Sequence, residues 1–132
     1  MRLYLWIMTG GALGSGARFF MSGWVAGRIG ATFPWGTLAV NVLGSFLIGF
    51  FDTLTNPSGR IFVGPTGRQF FMTGVMGGFT TFSSFSLQTL TLARDGEFLR
   101  AGSNAMLSLG LCLLAVLLGH VAAASLNQMK GS

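Results

Sequence analysis

Apolar residues fall into four long runs along this chain, and the polar residues inside those runs keep helical spacing. The runs extend from about Leu3 to Ser22, Trp35 to Leu54, Gly67 to Ala93 and Leu99 to Leu126. Each comes close to or exceeds the roughly 20 mostly apolar residues a helix needs to cross a bilayer. Short polar turns separate them: Thr55-Asn56-Pro57-Ser58-Gly59-Arg60, with turn chemistry at Asn-Pro and Ser-Gly, and the charged Arg94-Asp95-Gly96-Glu97. Residues 1–132 therefore read as one four-helix transmembrane domain, with no soluble domain, repeat or linker.

The third run is interrupted. Gly77-Gly78-Phe79-Thr80-Thr81-Phe82-Ser83-Ser84-Phe85-Ser86 holds a glycine pair, five hydroxyl side chains and three phenylalanines. Glycine and threonine are poor helix formers. At membrane depth a broken helix is tolerated only where protein or a water-filled cavity covers the freed backbone groups. The pattern predicts a helix break around Gly77–Thr81, placed at a working site.

Polar residues line up on single faces of the other runs. Thr37, Asn41 and Ser45 share a face of the second helix, and Asn104, Ser108 and Cys112 repeat that spacing in the fourth. Past the break, Thr81, Ser84, Phe85 and Gln88 share a face of the third. A single Ser or Thr usually bonds back to its own helix, but three aligned stripes in apolar helices point to a lined pathway. Small residues at four-residue spacing (Gly10/Gly14, Gly23/Gly27, Ser45/Gly49, Gly74/Gly78) are the ordinary device of close helix packing in membranes.

Composition agrees with the pattern. The chain is 51% hydrophobic and 8% charged, against about 25% charged in soluble domains. The net charge of +5 comes from eight basic residues that never cluster, which argues for helix-flanking anchors and against nucleic acid. One cysteine precludes an internal disulfide, and no His or Cys pair offers metal-ligand spacing. The first run lacks a signal-peptidase site and is expected to stay in the mature protein.

With four spans, Arg2, Arg60, Arg68 and Lys130 lie on one side and Arg18, Arg28, Arg94 and Arg100 on the other. Positive charge normally fixes orientation, and here the two sides tie. Such a chain can insert both ways, and four helices enclose little interior. An antiparallel homodimer of inverted copies is the economical expectation, by analogy with inverted repeats in single-chain transporters.

The stripes also suggest what passes. Mid-membrane Asp, Glu and Lys are absent, Asp52 sitting near a helix end, while hydroxyls and amides donate hydrogen bonds and Arg18 is a helix-end cation. Phenylalanine carries a positive ring edge, and Phe82 and Phe85 are one turn apart. Donors, positive edges and no carboxylates favour a small anion over a cation.

Three motifs then carry a family resemblance over essentially the whole chain. Gly10-Gly11-Ala12-Leu13-Gly14 with Arg18, Gly36-Thr37-Leu38-Ala39-Val40-Asn41-Val42-Leu43-Gly44-Ser45-Phe46, and residues Thr73 to Ser86 resemble the fluoride-channel family called Fluc or CrcB. The resemblance implies a passive fluoride exporter, not an enzyme, in the bacterial inner membrane, assembled as a dual-topology homodimer with two pores. It implies that Phe82 and Phe85 line the ion path, that Asn41 is a pore donor, and that Asn104, Ser108 and Cys112 form the fourth-helix track. It also implies a structural sodium ion at the dimer centre, held by the backbone carbonyls of Gly77 and Thr80. Hard cations take oxygen ligands, and an unwound turn frees carbonyls. The family usually has a glutamate where this chain has Gln88, a neutral isostere that cannot ionise. The rival class, a proton-coupled small multidrug exporter of the same size and topology, needs a glutamate in its first helix. Leu3 to Ser22 contains no acidic residue.

Overall fold

The computed structural model describes residues 1–130, the side chain of Lys130 excepted. The described residues are helical apart from short connections. Helix α1 (Arg2–Ile29) ends at Gly30, whose φ of 114° admits only glycine readily and whose N–H returns to Ala26 O at 2.8 Å. Helix α2 (Trp35–Leu54) follows Pro34, and α3 (Pro65–Gln69) carries proline at its first position, where the missing N–H costs nothing. A π-helical stretch, π1 (Phe70–Met76), continues into α4 (Gly77–Phe79). Helices α5 (Phe82–Arg94) and α6 (Phe98–Lys130) complete the chain, joined by a turn with Gly96 at φ 80°.

Two helices, Trp35–Leu54 and the stretch Phe98–Met129, are long and apolar enough to cross a membrane, with mean hydropathy 1.6 and 2.2. The first helix is longer than expected from the sequence, 28 residues, but less apolar because Arg18, Arg28 and many glycines interrupt it. Helix α6 has 33 residues. At about 1.5 Å per residue that is roughly 50 Å, well beyond a hydrocarbon core of about 30 Å. Its final turns are tied to the end of α2 and to the loop after it: Asn127 Nδ2 donates to Thr53 O at 2.9 Å, and Arg60 N–H donates to Asn127 Oδ1 at 2.6 Å. Large apolar side chains stand exposed along α1 and α6, among them Tyr4, Trp6, Phe19, Phe20, Trp24, Leu109, Leu113 and Leu117. Water would penalise such a surface and hydrocarbon would not, which identifies a membrane protein.

The packing rests on backbone approach. A Cβ added at Gly14 would lie 2.1 Å from Val75 O, and one at Gly78 2.5 Å from Gly11 O, so α1 and the π1–α4 segment touch main chain to main chain. Helices α2 and α6 meet in the same way at Gly49 and Gly119. This corrects one expectation from sequence. Gly77 and Gly78 do not break the helix: Gly77 has φ −62° and ψ −36°, and residues 77–79 are helical. Gly78 serves closeness, and neither glycine unwinds the helix. Between α4 and α5 the residues outside helix are Thr80 (φ −88°, ψ 156°) and Thr81 (φ −151°, ψ 111°). A small core of Val40, Met76 and Phe79, with Leu47, Ile48, Phe71 and Val75 around it, fixes α2 against this segment.

Candidate functional site

Two extended residues between helices strand several backbone groups, and the surrounding side chains take them up one by one. Thr81 is the N-cap of α5, its hydroxyl accepting from Ser84 N–H at 3.1 Å. Asn41, on the facing side of α2, reads both main-chain groups of Thr81. Its Oδ1 accepts from Thr81 N–H at 2.8 Å and its Nδ2 donates to Thr81 O at 3.1 Å. Asn41 thus spends its carbonyl and one of its two N–H bonds on the break, leaving one N–H for anything else.

Arg18 serves the other end. In a continuous helix the Gly78 carbonyl would accept from Phe82 N–H; here it accepts from Arg18 Nε at 3.0 Å. A cation at the carbonyl end of a helical segment also opposes the partial negative charge there. Arg18 is therefore a helix-end cation rather than a residue of the groove described next.

Two carbonyls lose their helical partners in the same rearrangement. Thr81 N–H, which would close on Gly77 O, is turned to Asn41. Ser84 N–H, which would close on Thr80 O, is turned to the Thr81 hydroxyl. Gly77 lies on an exposed face, where an added Cβ would have only Met72 O near it, at 4.0 Å.

Beside the break a groove of about 600 Å³ runs between α2, the 72–85 segment and α6. Asn41, Gly77, Thr80, Thr81, Phe82, Phe85, Ser108 and Cys112 all line it, with Ser45 and apolar residues including Ile48, Met72, Met76 and Leu109. No Asp, Glu, Lys or Arg is among its lining residues. The Phe82 and Phe85 rings are 5.4 Å apart between centroids and tilted by 57°. Phe82 is 78% exposed, so in the single chain its ring faces outward over the mouth of the groove.

The other residues singled out from sequence stand elsewhere. Asn104 is buried, donating to Thr89 Oγ1 at 2.9 Å and accepting from Ser108 Oγ at 3.4 Å. It joins α5 to α6 and orients the Ser108 hydroxyl from behind. Ser84 offers its backbone to the Thr81 cap. Gln88 lines a second cavity of about 690 Å³, between the end of α1, the start of α2 and the 95–100 turn, together with Thr37, Asp95, Glu97 and Arg100. Its Oε1 is buried without a hydrogen-bond partner. Sequence reasoning did not find Gly44, whose missing Cβ leaves room for the Thr80 methyl; a Cβ there would fall 2.2 Å from it. The Gly44-Ser45 pair was the available signal. Asp52 and Arg68 form an ion pair that docks α3 on the end of α2.

An all-helical membrane protein with a helix interrupted beside an uncharged, donor-bearing groove belongs among the small channels and carriers. The chain is a member of the CrcB family, whose model (CrcB-like protein, Camphor Resistance) matches residues 5–120. It is 68% identical over 132 residues, the whole of both chains, to a protein of Opitutus terrae named fluoride-specific ion channel FluC. Proteins of the same name from Methylocella silvestris and Rhodospirillum rubrum are 62% identical over 129 residues and 58% over 125. The alignments cover 98% of this chain and 98% of the relative in the first case, and 95% and 97% in the second.

Proposed function

We propose that this chain is a fluoride-selective channel that lets cytoplasmic fluoride leave passively, down its electrochemical gradient, and so relieves fluoride toxicity. The observation that carries the reading is end-to-end identity of 68% with a protein named as a fluoride-specific channel. The groove supports it chemically. A fluoride ion is small and strongly hydrated, so a path must replace water with hydrogen-bond donors at close quarters. The remaining Asn41 N–H, the Thr81 hydroxyl and the Cys112 thiol can donate, and so can the Ser108 hydroxyl when its proton turns away from Asn104 Oδ1, while the tilted Phe82–Phe85 pair offers positive ring edges. A groove free of carboxylates neither repels an anion nor supplies the titratable group a proton-coupled carrier needs.

The functional unit is an antiparallel homodimer. The groove is open along one side, and a ring as exposed as Phe82 needs a second wall to confine an ion. The charge tie across the membrane leaves insertion in both orientations available. Fluoride is the partner that moves, and lipid covers the apolar faces of α1 and α6.

A sodium ion at the dimer centre fits the residues present. The Gly77 and Thr80 carbonyls have lost their helical N–H partners, and Gly77 faces outward from the single chain. Two copies related by a two-fold axis would offer four such oxygens, a ligand set suited to a hard cation. When bound, the ion neutralises converging carbonyl dipoles and holds the two breaks together; Asn41, Arg18 and the Thr81 hydroxyl keep the neighbouring backbone groups from competing.

The test is efflux from liposomes loaded with fluoride or chloride, with the membrane potential clamped. Fluoride release without chloride release, indifferent to a proton gradient, is the expected result. Chloride release at a comparable rate, or fluoride movement only with a proton gradient, would overturn the channel reading.

A further inference from the structure

A polar pair of the third segment, Gln69 and Thr73, lines neither the groove nor the second cavity and stands in line with Gly77, which does line the groove. Gln69, Thr73 and Gly77 fall four residues apart along α3, π1 and α4, and all three are exposed while Gly74 and Met76 between them are buried. The Thr73 hydroxyl donates to Gln69 Oε1, which draws two side-chain oxygens together on that face. One turn further towards mid-membrane stands the Gly77 carbonyl, freed by the turn of Thr81 N–H to Asn41. Successive positions are separated by about 5 to 6 Å along the axis. Lipid cannot satisfy such groups, and an exposed row of oxygens in a membrane segment is costly without a polar partner.

We propose that the Gln69–Thr73 pair is the way in for the central cation: it strips part of the hydration shell near the membrane surface and passes the ion one turn inward to the Gly77 carbonyl. The proposal rests on the sodium reading above. The chemistry is ligand exchange among neutral oxygens, which hard monovalent cations accept readily because no single bond is strong. In an antiparallel dimer each copy brings one such row from its own side of the membrane, and both end at the centre. The pair is a positioning device: neither side chain reaches the final site, so its loss slows loading without changing what is finally bound.

The experiment measures uptake of radioactive sodium by purified protein freed of sodium by dialysis, for wild type, Thr73→Val and Gln69→Leu. Wild type loads to a plateau; each variant is expected to reach the same plateau with a rate lowered roughly tenfold, the scale of losing one ligand-strength hydrogen-bonding group at the barrier. Unchanged loading rates in both variants would overturn the proposal and leave the sodium reading intact. Loss of the plateau in the variants would also overturn it, by making the pair part of the site or of the assembly. A wild-type protein that binds no sodium would remove the sodium reading and this proposal together.

Discussion

The Asn41 amide closes both backbone groups of Thr81, accepting from its N–H at 2.8 Å and donating to its carbonyl at 3.1 Å. One side chain on α2 therefore does for the break what a continuous helix would have done for itself. The same contact leaves Gly77 O without its helical N–H partner and sets the direction in which α5, with Phe82 and Phe85, departs.

Replacing Asn41 should damage assembly and conduction together. Asn41→Leu strands a donor and an acceptor, each worth about 1–3 kcal/mol when buried and unpaired. Asn41→Asp keeps the bond from Thr81 N–H but sets a carboxylate against the Thr81 carbonyl, and places negative charge in an anion path. We expect lower thermal stability for both and weaker fluoride efflux for the aspartate, by at least about tenfold, a barrier change near 1.4 kcal/mol. Wild-type melting and flux in Asn41→Leu would contradict the capping role.

Arg18 supplies the missing N–H at Gly78 O. Arg18→Leu should cost about 1–3 kcal/mol by leaving that carbonyl unsatisfied, and Arg18→Lys less, because charge is kept at the helix end. Thermal denaturation of the purified variants ranks them. Equal stability of Leu and wild type would mean the bond contributes nothing net.

The glycines separate cleanly by what surrounds them. Gly14→Ala would put a Cβ 2.1 Å from Val75 O, a backbone atom that cannot step aside. Gly16→Ala meets open space and gains helix propensity of about 0.5–1 kcal/mol. The first should fail to yield stable protein and the second should match or exceed wild type in melting temperature. Equal expression and melting of the two would argue against close contact between α1 and π1.

Phe82 and Phe85 test the path without testing the fold. Phe82 is largely exposed in the single chain, so Phe82→Ile should shift the unfolding free energy by no more than about 0.5 kcal/mol. We expect fluoride efflux to fall markedly in Phe82→Ile and in Phe85→Ile, measured with a fluoride electrode. Unchanged efflux in both would remove the ring pair from the pathway.

Much of this arrangement was legible from side-chain pattern alone, because the runs of apolar residues and the polar stripes are properties of the side chains. What the pattern misjudged involved the main chain. The break expected around Gly77–Thr81 falls at the last two of those residues, Thr80–Thr81, while the glycine pair stays helical and Gly78 serves close contact with Gly11. Asn41 and Arg18 stood out as polar residues in apolar helices, but their partners are backbone atoms of Thr81 and Gly78, which leave no trace in sequence. Asn104 carries the right spacing for a lining residue and instead bridges to Thr89, since residues sharing a helix face can still meet different neighbours. The π-helical turns at Phe70–Met76 had no sequence signal at all; they depend on how α1 packs against them.

Electrical recording across a planar bilayer tests the central claim most directly. With unequal fluoride and equal chloride and pH on the two sides, the current through the purified protein should reverse at the fluoride equilibrium potential. Reversal that follows an imposed chloride or proton gradient instead would contradict a passive fluoride channel.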